Sequence, residues 1–261
     1  MLGKKWKLAL AAGMAAAALI AAGCGGSGSD SKAAADKGGI IRVGAETTYP
    51  PFEFTQDDKY VGFDLDLSDA VIKQMGGKME FKSMGFDALI PALQSNQIDL
   101  VASGMDVTPE REKQVAFSDI YFDKSGKVII VLKDNDQIHD WDDLKGRVVC
   151  GQVGTKQVEF AQEAGAKEVK QVDSNSQAFM ELRAKTVEAV VIDAPVGMYY
   201  LKQGGDKDMK IVGSQKEAVG FAFAMKKDNK ELQEKVNKAL KEVRENGTYD
   251  QIYEKWFGAS K

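Results

Sequence analysis

The sequence predicts an α/β protein in which strands alternate with helices and pair into parallel sheets. Short runs rich in β-branched and apolar residues recur along the chain. The segments between them place apolar residues at helical spacing, as in Leu67-Val71-Met75 and Leu89-Leu93. Strand–helix alternation is typical of βαβ units, whose parallel sheets have buried faces. The predicted strands cover residues 40–45, 78–81, 100–103, 128–132, 148–151, 169–172 and 189–192.

The C-terminal segment is predicted to be entirely helical. The apolar face of its first helix consists of Leu232, Val236, Ala239, Leu240 and Val243. Asn246-Gly247 supplies a stop, and residues 248–251 have capping-box spacing for a second short helix. The predicted packing face of that second helix consists of Ile252, Tyr253, Trp256 and Phe257.

Residues 1–23 are typical of a secretory signal. Three lysines precede the apolar stretch 8–22, which is shorter than the roughly 20 residues needed to cross a bilayer. Residues 21–24, Ala-Ala-Gly-Cys, resemble the lipobox of bacterial lipoproteins, although Ala21 stands where that motif usually has Leu. The resemblance implies that Cys24 is acylated, for example with palmitate, and two acyl chains suffice for stable anchoring. We therefore expect an extracytoplasmic protein held at the membrane by Cys24.

Residues 24–39 consist mainly of Gly, Ser, Ala, Asp and Lys and are predicted to form a flexible tether. Removal of the three signal lysines changes the formal net charge from −4 to −7. An acidic mature surface argues against nucleic acid or anionic lipid as the main partner.

Catalytic or metal chemistry has little support in the residue inventory. Loss of Cys24 to a lipid leaves Cys150, which ends an apolar run and is interpreted as a small buried hydrophobe. His139 lies in the polar stretch 134–143 and is predicted to be a solvated loop residue. Asp64 and Asp66 lack the further acids of an EF-hand loop, so residues 62–67 are interpreted as a helix start. We expect no metal site, no cofactor and no enzymatic activity.

Five motifs occur in the order found in one family of binding proteins. They are YPPFEF (49–54), GFDLDL (62–67), FDALIPAL (86–93), TPER (108–111) and NGTY (246–249). Together they resemble the polar amino-acid-binding proteins of ABC importers, family 3 of the bacterial extracellular solute-binding proteins. The chain is similar to the glutamine-binding and the lysine/arginine/ornithine-binding members over residues 40–258.

The resemblance implies a type II periplasmic-binding fold, with two α/β lobes joined by two crossing strands near residues 121–126 and 217–221. Lobe 1 would comprise residues 40–125 and 219–261, and lobe 2 residues 126–218. Ligands of open α/β sheets bind beyond the carboxyl ends of the strands, so the site is expected in the cleft between the lobes. Closure over a free amino acid would be a hinge motion, and the implied partner is a membrane permease that receives the ligand from a monomeric receptor.

A free amino acid requires a cation and an anion close together, because burying either of its charges unpaired is costly. Arg111 is the candidate for the carboxylate: Thr108 is predicted to cap its helix, and a cation in the first turn opposes the helix dipole unless an anion binds. A surface ion pair with Glu110 or Glu112 is the alternative. From the second lobe, exposed N–H groups at Thr155 are expected to point at the same anion.

The remaining candidate residues follow from the resemblance. Asp193, which alone would be interpreted as a helix N-cap, falls on the position that binds the ammonium group. Ser103 and Gly104 correspond to first-lobe ligand contacts, and Asp106 stands where relatives usually have Thr or Ser. The aromatic pair that sandwiches the ligand side chain corresponds to Tyr49 and Phe86.

Specificity is assigned to Glu46, near the far end of the bound side chain, and to Gln152, which replaces a Lys of the glutamine-binding relative. The acids Glu46, Asp106 and Asp193 against Arg111 leave a charge of −2. This deficit favours a basic amino acid such as arginine, lysine or ornithine, with glutamine as the alternative. A dehydratase-type enzyme on the same fold, with Glu46 or Asp106 as general acid, is the alternative of a different class.

Overall fold

Two five-stranded sheets, each covered by helices, form the frame of the protein. The computed structural model describes residues 39–258, so the predicted signal, Cys24 and nearly all of the tether lie outside the described residues. The strands are β1 (Ile40–Ala45), β2 (Thr48–Tyr49), β3 (Glu53–Gln56), β4 (Lys59–Val61), β5 (Lys78–Ser83), β6 (Leu100–Val101), β7 (Val115–Phe117), β8 (Lys127–Leu132), β9 (Val148–Gln152), β10 (Glu168–Val172), β11 (Ala189–Asp193), β12 (Met209–Lys216) and β13 (Ala224–Lys226).

Helices cover both sheets, and the last two elements along the chain are also helices. The α-helices are α1 (Phe63–Gln74), α2 (Leu89–Gln94), α3 (Pro109–Glu112), α4 (Lys156–Glu163), α5 (Asn175–Arg183), α6 (Ala194–Lys202), α7 (Lys230–Glu245) and α8 (Thr248–Phe257). Short 3-10 helices cover Phe86–Ala88, Trp141–Leu144 and Gly205–Lys207.

The first sheet has the order β5-β1-β6-β13-β7 and the second has the order β10-β9-β11-β8-β12. Parallel pairing is confirmed for β1 with β5 and β6, and for β9 with β10 and β11. The sheets also contain antiparallel pairs, because β13 pairs antiparallel with β6 and β7, and β8 pairs antiparallel with β11 and β12. These strands enter their sheets directly from a crossing segment or a turn, without the crossover helix that parallel pairing requires.

The two crossing segments meet at Phe221. Phe122 and Asp106 each form an isolated antiparallel bridge with it, so the predicted crossing strands touch through single residue pairs and form no long ladder. The ring of Phe52 lies 4.9 Å from that of Phe122 and 5.1 Å from that of Phe221. This aromatic cluster packs the junction of the two lobes.

The helical C-terminus is confirmed. The predicted apolar residues of α7 are all buried, and those of α8 pack half-buried against the same core. The capping box predicted for α8 is wrong: Gly247 caps that helix with a left-handed φ of 79° and no side-chain hydrogen bond. Instead, α8 is fixed by its far end, where Trp256 Nε1 donates to Asp66 at 2.7 Å.

Cys150 is fully buried in β9, in agreement with its interpretation as a small core hydrophobe. Burial raises the pKa of its thiol to about 11. His139 lies exposed before the Trp141–Leu144 turn, as predicted. Between residues 39 and 258, every helix is too short or too polar to cross a membrane.

Candidate ligand-binding site

A small cavity of about 10 Å³ lies between the two sheets. Its lining residues are Glu46, Tyr49, Glu53, Phe86, Ser103, Gly104, Asp106, Gln152, Thr155 and Asp193. Nine of these were predicted from the sequence, and the tenth predicted residue, Arg111, touches the lining through Asp106 and Phe86. The side chains leave room for about one water molecule, so an amino acid can enter only if groups at the cleft move apart.

The site is built at the carboxyl ends of parallel strands. Glu46 directly follows β1, Ser103 lies two residues beyond β6, and Gln152 and Asp193 end β9 and β11. Because β1 and β6 belong to the first sheet and β9 and β11 to the second, the cavity receives side chains from both lobes. This is the placement expected for ligands of open α/β sheets.

Arg111 crosses the cleft. Thr108 caps α3 as predicted, its hydroxyl oxygen accepting from the Arg111 amide at 3.2 Å. The guanidinium donates from Nη1 to the Asp106 carbonyl at 2.7 Å and from Nη2 to the Gly154 carbonyl at 2.9 Å. It also lies 5.3 Å from the centre of the Phe86 ring. Burial lowers the pKa of Arg111. The buried guanidinium is held by two main-chain carbonyls, of which that of Gly154 belongs to the second lobe.

The turn after β9 differs from the expectation. The Thr155 amide donates to the Gln152 carbonyl at 3.3 Å, and the Thr155 hydroxyl donates to the same oxygen at 2.7 Å. The predicted exposed N–H is thus engaged within the turn. In this conformation, the second-lobe group that faces Arg111 is the Gly154 carbonyl.

Asp193 occupies the N-cap position of α6, yet its side chain caps nothing. One carboxylate oxygen accepts from Lys127 Nζ and the other from Gln157 Nε2 at 3.3 Å. Burial, and then the charge of Asp193, raise the pKa of the Tyr49 hydroxyl well above its usual value. Asp193 therefore points into the cleft, as the resemblance implied.

Lys127 was missed by the sequence reasoning. It begins β8, its side chain is 0% exposed, and its ammonium bonds to Asp193 and, at 2.9 Å, to Asp106. Burial alone would lower the pKa of Lys127, but the charges of Asp193 and Asp106 outweigh it and raise the pKa. A lysine at the head of an otherwise apolar strand is the signal that could have found it, since its register partner in the sheet is Asp193.

Asp106 has a partner that explains its departure from Thr or Ser. Its carboxylate accepts from Lys127 and, at 3.4 Å, from the Ser125 hydroxyl. Burial raises the pKa of Asp106, and the ammonium of Lys127 opposes this rise. In this chain, Asp106 therefore serves as a counter-ion for a buried cation.

A second group of acids supports the first-lobe side of the cavity. Ser103 donates to Glu53 at 2.8 Å and accepts from the Glu46 amide at 3.0 Å. Burial, and then the charge of Asp64, raise the pKa of Glu53 well above its usual value. Asp64 accepts from the Gly104 amide at 2.7 Å. Glu53 lines the cavity but was not predicted.

The proposed specificity end of the cavity contains Glu46 and Gln152, and Asn175 contacts Gln152. Glu46 Oε1 accepts from the Thr48 hydroxyl at 2.7 Å, whereas Glu46 Oε2 has no hydrogen-bond partner among the described residues. The Gln152 amide donates to the Asp173 carbonyl at 3.0 Å and accepts from Asn175 at 2.8 Å. Asn175, a further residue that sequence reasoning missed, keeps its buried Oδ1 without a partner. Burial raises the pKa of Glu46, and the bond from Thr48 opposes the rise.

The two predicted aromatic residues take different positions. Phe86 lies under the Arg111 guanidinium, and Tyr49 stacks on Phe52 with ring centres 5.6 Å apart. Gly104 lets the Tyr49 ring approach, because a Cβ at Gly104, which has a φ of +45°, would lie 2.7 Å from a Tyr49 ring carbon.

The arrangement of a cleft, an arginine and opposing carboxylates agrees with the sequence comparison. The family model of the bacterial extracellular solute-binding proteins, family 3, matches residues 41–259. The chain belongs to this family.

Relatives of this solute-binding protein include transport receptors of known ligand. The arginine-binding extracellular protein ArtP of Bacillus subtilis is 39% identical, over 99% of this chain and 100% of ArtP. The structure of an ancestral arginine-binding protein bound to arginine is 49% identical with a TM-score of 0.79, covering 84% of this chain and 98% of that chain. The same coverages hold for an ancestral arginine-binding protein bound to glutamine, which is 48% identical with a TM-score of 0.80. The type II periplasmic-binding fold is thereby confirmed.

The charge of the cavity in this solute-binding protein follows from the groups now in place. Apart from Glu53, whose pKa is raised by burial, the negative groups are Glu46, Asp106 and Asp193, and the positive groups are Arg111 and Lys127. Three negative and two positive charges leave −1. The count made from the sequence, −2, lacked Lys127, and the sign of the deficit is unchanged.

Proposed function

We propose that the protein is a receptor that captures a free basic amino acid, arginine in the first place, between its two lobes and passes it to the permease of an ABC importer. The proposal rests on one observation, which is that the buried polar atoms without a hydrogen-bond partner are acceptors. Within residues 39–258, the buried side-chain atoms without a hydrogen bond are four acceptor oxygens, on Glu46, Glu53, Asp64 and Asn175. Of these residues, Glu46 and Glu53 line the cavity, so Glu46 Oε2 and Glu53 Oε2 are the partnerless oxygens there.

A guanidinium group fits these two oxygens because it carries five N–H donors and no acceptor. An ammonium group of lysine or ornithine carries three donors and also fits. A cationic side chain, moreover, brings a net charge of +1 and cancels the −1 of the cavity, whereas a zwitterion with a neutral side chain leaves it. The names of the relatives, which bind arginine, support the same ligand class.

The ends of the ligand's backbone are assigned to Arg111 and Asp193. Arg111 offers its planar fork to the carboxylate, and Asp193 receives the α-ammonium from the second lobe. Phe86 and Tyr49 flank the side chain, Ser103 and Gly104 contact the backbone of the ligand, and Thr155 and Gln152 contribute from the turn after β9.

Glutamine is the second candidate ligand, because a similar ancestral protein has been solved with glutamine bound. A carboxamide can donate to Glu46, but its carbonyl would face Glu46 Oε2 if the amide turned. We therefore expect glutamine to bind more weakly than arginine.

The test is a calorimetric titration of residues 24–261 with Cys24→Ser, refolded to remove copurified ligand, with arginine, lysine, ornithine and glutamine in turn. Arginine is expected to bind most tightly and to raise the melting temperature most at equal concentration. Tightest binding of glutamine would overturn the assignment to basic amino acids, and no binding of any amino acid would overturn the receptor function itself.

An enzyme of the dehydratase type on this fold is the alternative of a different class, with Glu46 or Asp106 as general acid. The ion pair with Lys127 favours the charged form of Asp106, which argues against that role. Incubation with candidate substrates followed by product analysis tests it, since a receptor releases its ligand unchanged.

The membership in an extracellular family agrees with export of the chain. We propose that acylated Cys24 anchors the monomeric receptor at the outer face of the membrane. Residues 24–39 would then tether the lobes close to the permease.

A further inference from the structure

Lys127 connects carboxylates from both sides of the cleft. It belongs to β8 of the second sheet, as Asp193 belongs to β11, while Asp106 follows β6 of the first sheet. The ammonium bonds to Asp193, to Asp106 Oδ2 at 2.9 Å and to the Ser125 carbonyl at 3.3 Å. Its three N–H donors are thus matched by three acceptors. The contact with Asp106 is an ion pair across the cleft, inside the cavity wall.

Asp193 is engaged before any ligand arrives. Its oxygens bond to Lys127 and Gln157. Gln157 is a neutral donor, whereas Lys127 brings a primary ammonium with the charge and the donors of an amino acid's own amino group. The ligand's α-ammonium would therefore compete with Lys127 for the Asp193 carboxylate.

We infer that Lys127 is an internal ammonium that competes with the ligand for Asp193, latches the lobes together through Asp106, and thereby sets the affinity of the site. The competition rests on the proposed function, because it requires a ligand with an α-ammonium. The latch does not, because both of its ends belong to the protein. Entry of ligand exchanges one ammonium for another at Asp193, after which Lys127 retains Asp106 and the Ser125 carbonyl.

The competition lowers the apparent affinity by a calculable factor. Ligand binds only to molecules in which Lys127 has left Asp193, so the apparent Kd exceeds the intrinsic Kd by the inverse of that fraction. If Lys127 has left Asp193 in about one molecule in ten, removal of the ammonium tightens binding about tenfold.

The experiment uses ligand-stripped residues 24–261 carrying Cys24→Ser, with three further variants. Lys127→Gln removes both the competitor and the latch. Asp106→Asn removes the cross-lobe end but leaves Lys127 on Asp193. Lys133→Gln is the matched control, since it removes one lysine charge just beyond the same strand, where Lys133 donates to the Asp206 carbonyl at the surface. Small-angle X-ray scattering measures lobe opening, calorimetry measures arginine affinity, and circular dichroism verifies folding.

Lys127→Gln is expected to increase the radius of gyration and to bind arginine about tenfold more tightly. Asp106→Asn is expected to increase the radius without the gain in affinity, and Lys133→Gln to change neither. Unchanged or weaker arginine binding by Lys127→Gln overturns the competition, and an unchanged radius in both cavity variants overturns the latch. Should Lys127→Gln not fold, the radius of Asp106→Asn decides the latch, and titration of a folded Lys127→Met variant decides the competition. If no variant binds an amino acid, the proposed function fails, while the scattering result still decides the latch.

Discussion

Arg111 of the first lobe donates a hydrogen bond to the Gly154 carbonyl of the second lobe at 2.9 Å. The side chain proposed to bind the ligand carboxylate thus also binds the turn after β9. The second bond of the guanidinium, to the Asp106 carbonyl at 2.7 Å, fixes its plane next to Phe86. The orientation of the fork is set by the protein, so ligand binding requires little further ordering of Arg111.

Arg111→Lys tests the fork separately from the charge. Lysine keeps the cation but cannot make the bidentate contact, so we expect arginine to bind about ten- to a hundredfold more weakly, as for loss of one charged hydrogen bond. Calorimetric titration measures the change. Arg147→Lys is the control, because Arg147 pairs with Glu188 away from the cavity. Equal affinities of the Arg111 variant and the unaltered receptor would contradict the carboxylate assignment.

Glu46→Gln tests the specificity end of the cavity. The change keeps the shape of the side chain but removes the charge that faces a cationic ligand, and charge-assisted hydrogen bonds are roughly twice as strong as neutral ones. Arginine affinity should fall about tenfold or more, while glutamine affinity stays within about twofold. Competition between the two amino acids for one receptor sample gives the ratio directly. Glu80→Gln, a half-exposed acid of β5, is the matched control. If the affinities for arginine and glutamine fell by the same factor, Glu46 would not distinguish the two ligands.

Asp64 predicts a pH dependence of stability. Burial raises the pKa of this carboxyl from 3.8 to about 6. The folded state therefore holds the proton more tightly than the unfolded state, so the stabilisation is present below about pH 4 and is lost as the pH rises through about 6. A shift of about two units corresponds to about 3 kcal/mol.

We expect Asp64→Asn to remove most of this pH dependence. Urea denaturation at pH 4 and at pH 7.5 should show the receptor losing about 3 kcal/mol more than the variant over this interval. Asp69→Asn, on the same helix, where Asp69 pairs with Lys73 at the surface, is the control. If the free energy of unfolding changes equally with pH in Asp64→Asn and in the unaltered receptor, the pH dependence arises from a group other than Asp64.

Cys24→Ser tests the anchor. The serine variant should leave the membrane fraction and fail to incorporate labelled palmitate, whereas the unaltered protein retains both properties, since two acyl chains give stable membrane binding. Ala21→Leu, which restores the usual lipobox residue, should keep or improve processing. Retention of the serine variant at the membrane would show that another segment holds the protein there.

Local chemistry explains which parts of the site could be predicted from the sequence. Thr108 and Pro109 determine a helix start, and that start places Arg111 at the cleft, so a short motif was sufficient. Glu46, Gln152 and Asp193 were assigned from the family resemblance, and they lie at strand ends that parallel pairing brings together.

The remaining features depend on distant pairing. Lys127 binds the cavity residue Asp193 only because β8 pairs antiparallel with β11, which sets it beside Asp193, 66 positions along the chain. Glu53 belongs to a sequence motif, but its raised pKa arises from burial and from the charge of Asp64. Asn175 contacts the cavity residue Gln152, a contact that no pattern in the sequence encodes.

The position of β13 between β6 and β7 bears on how the chain matures. An exported polypeptide arrives from its N-terminus, and Ala224 emerges only after the entire second lobe. Until then β7 has no neighbour that joins it to β6, so the first lobe cannot be completed on its own. We expect the second lobe to consolidate earlier, and fragments that end before residue 224 to display open strand edges that promote aggregation and attract proteases.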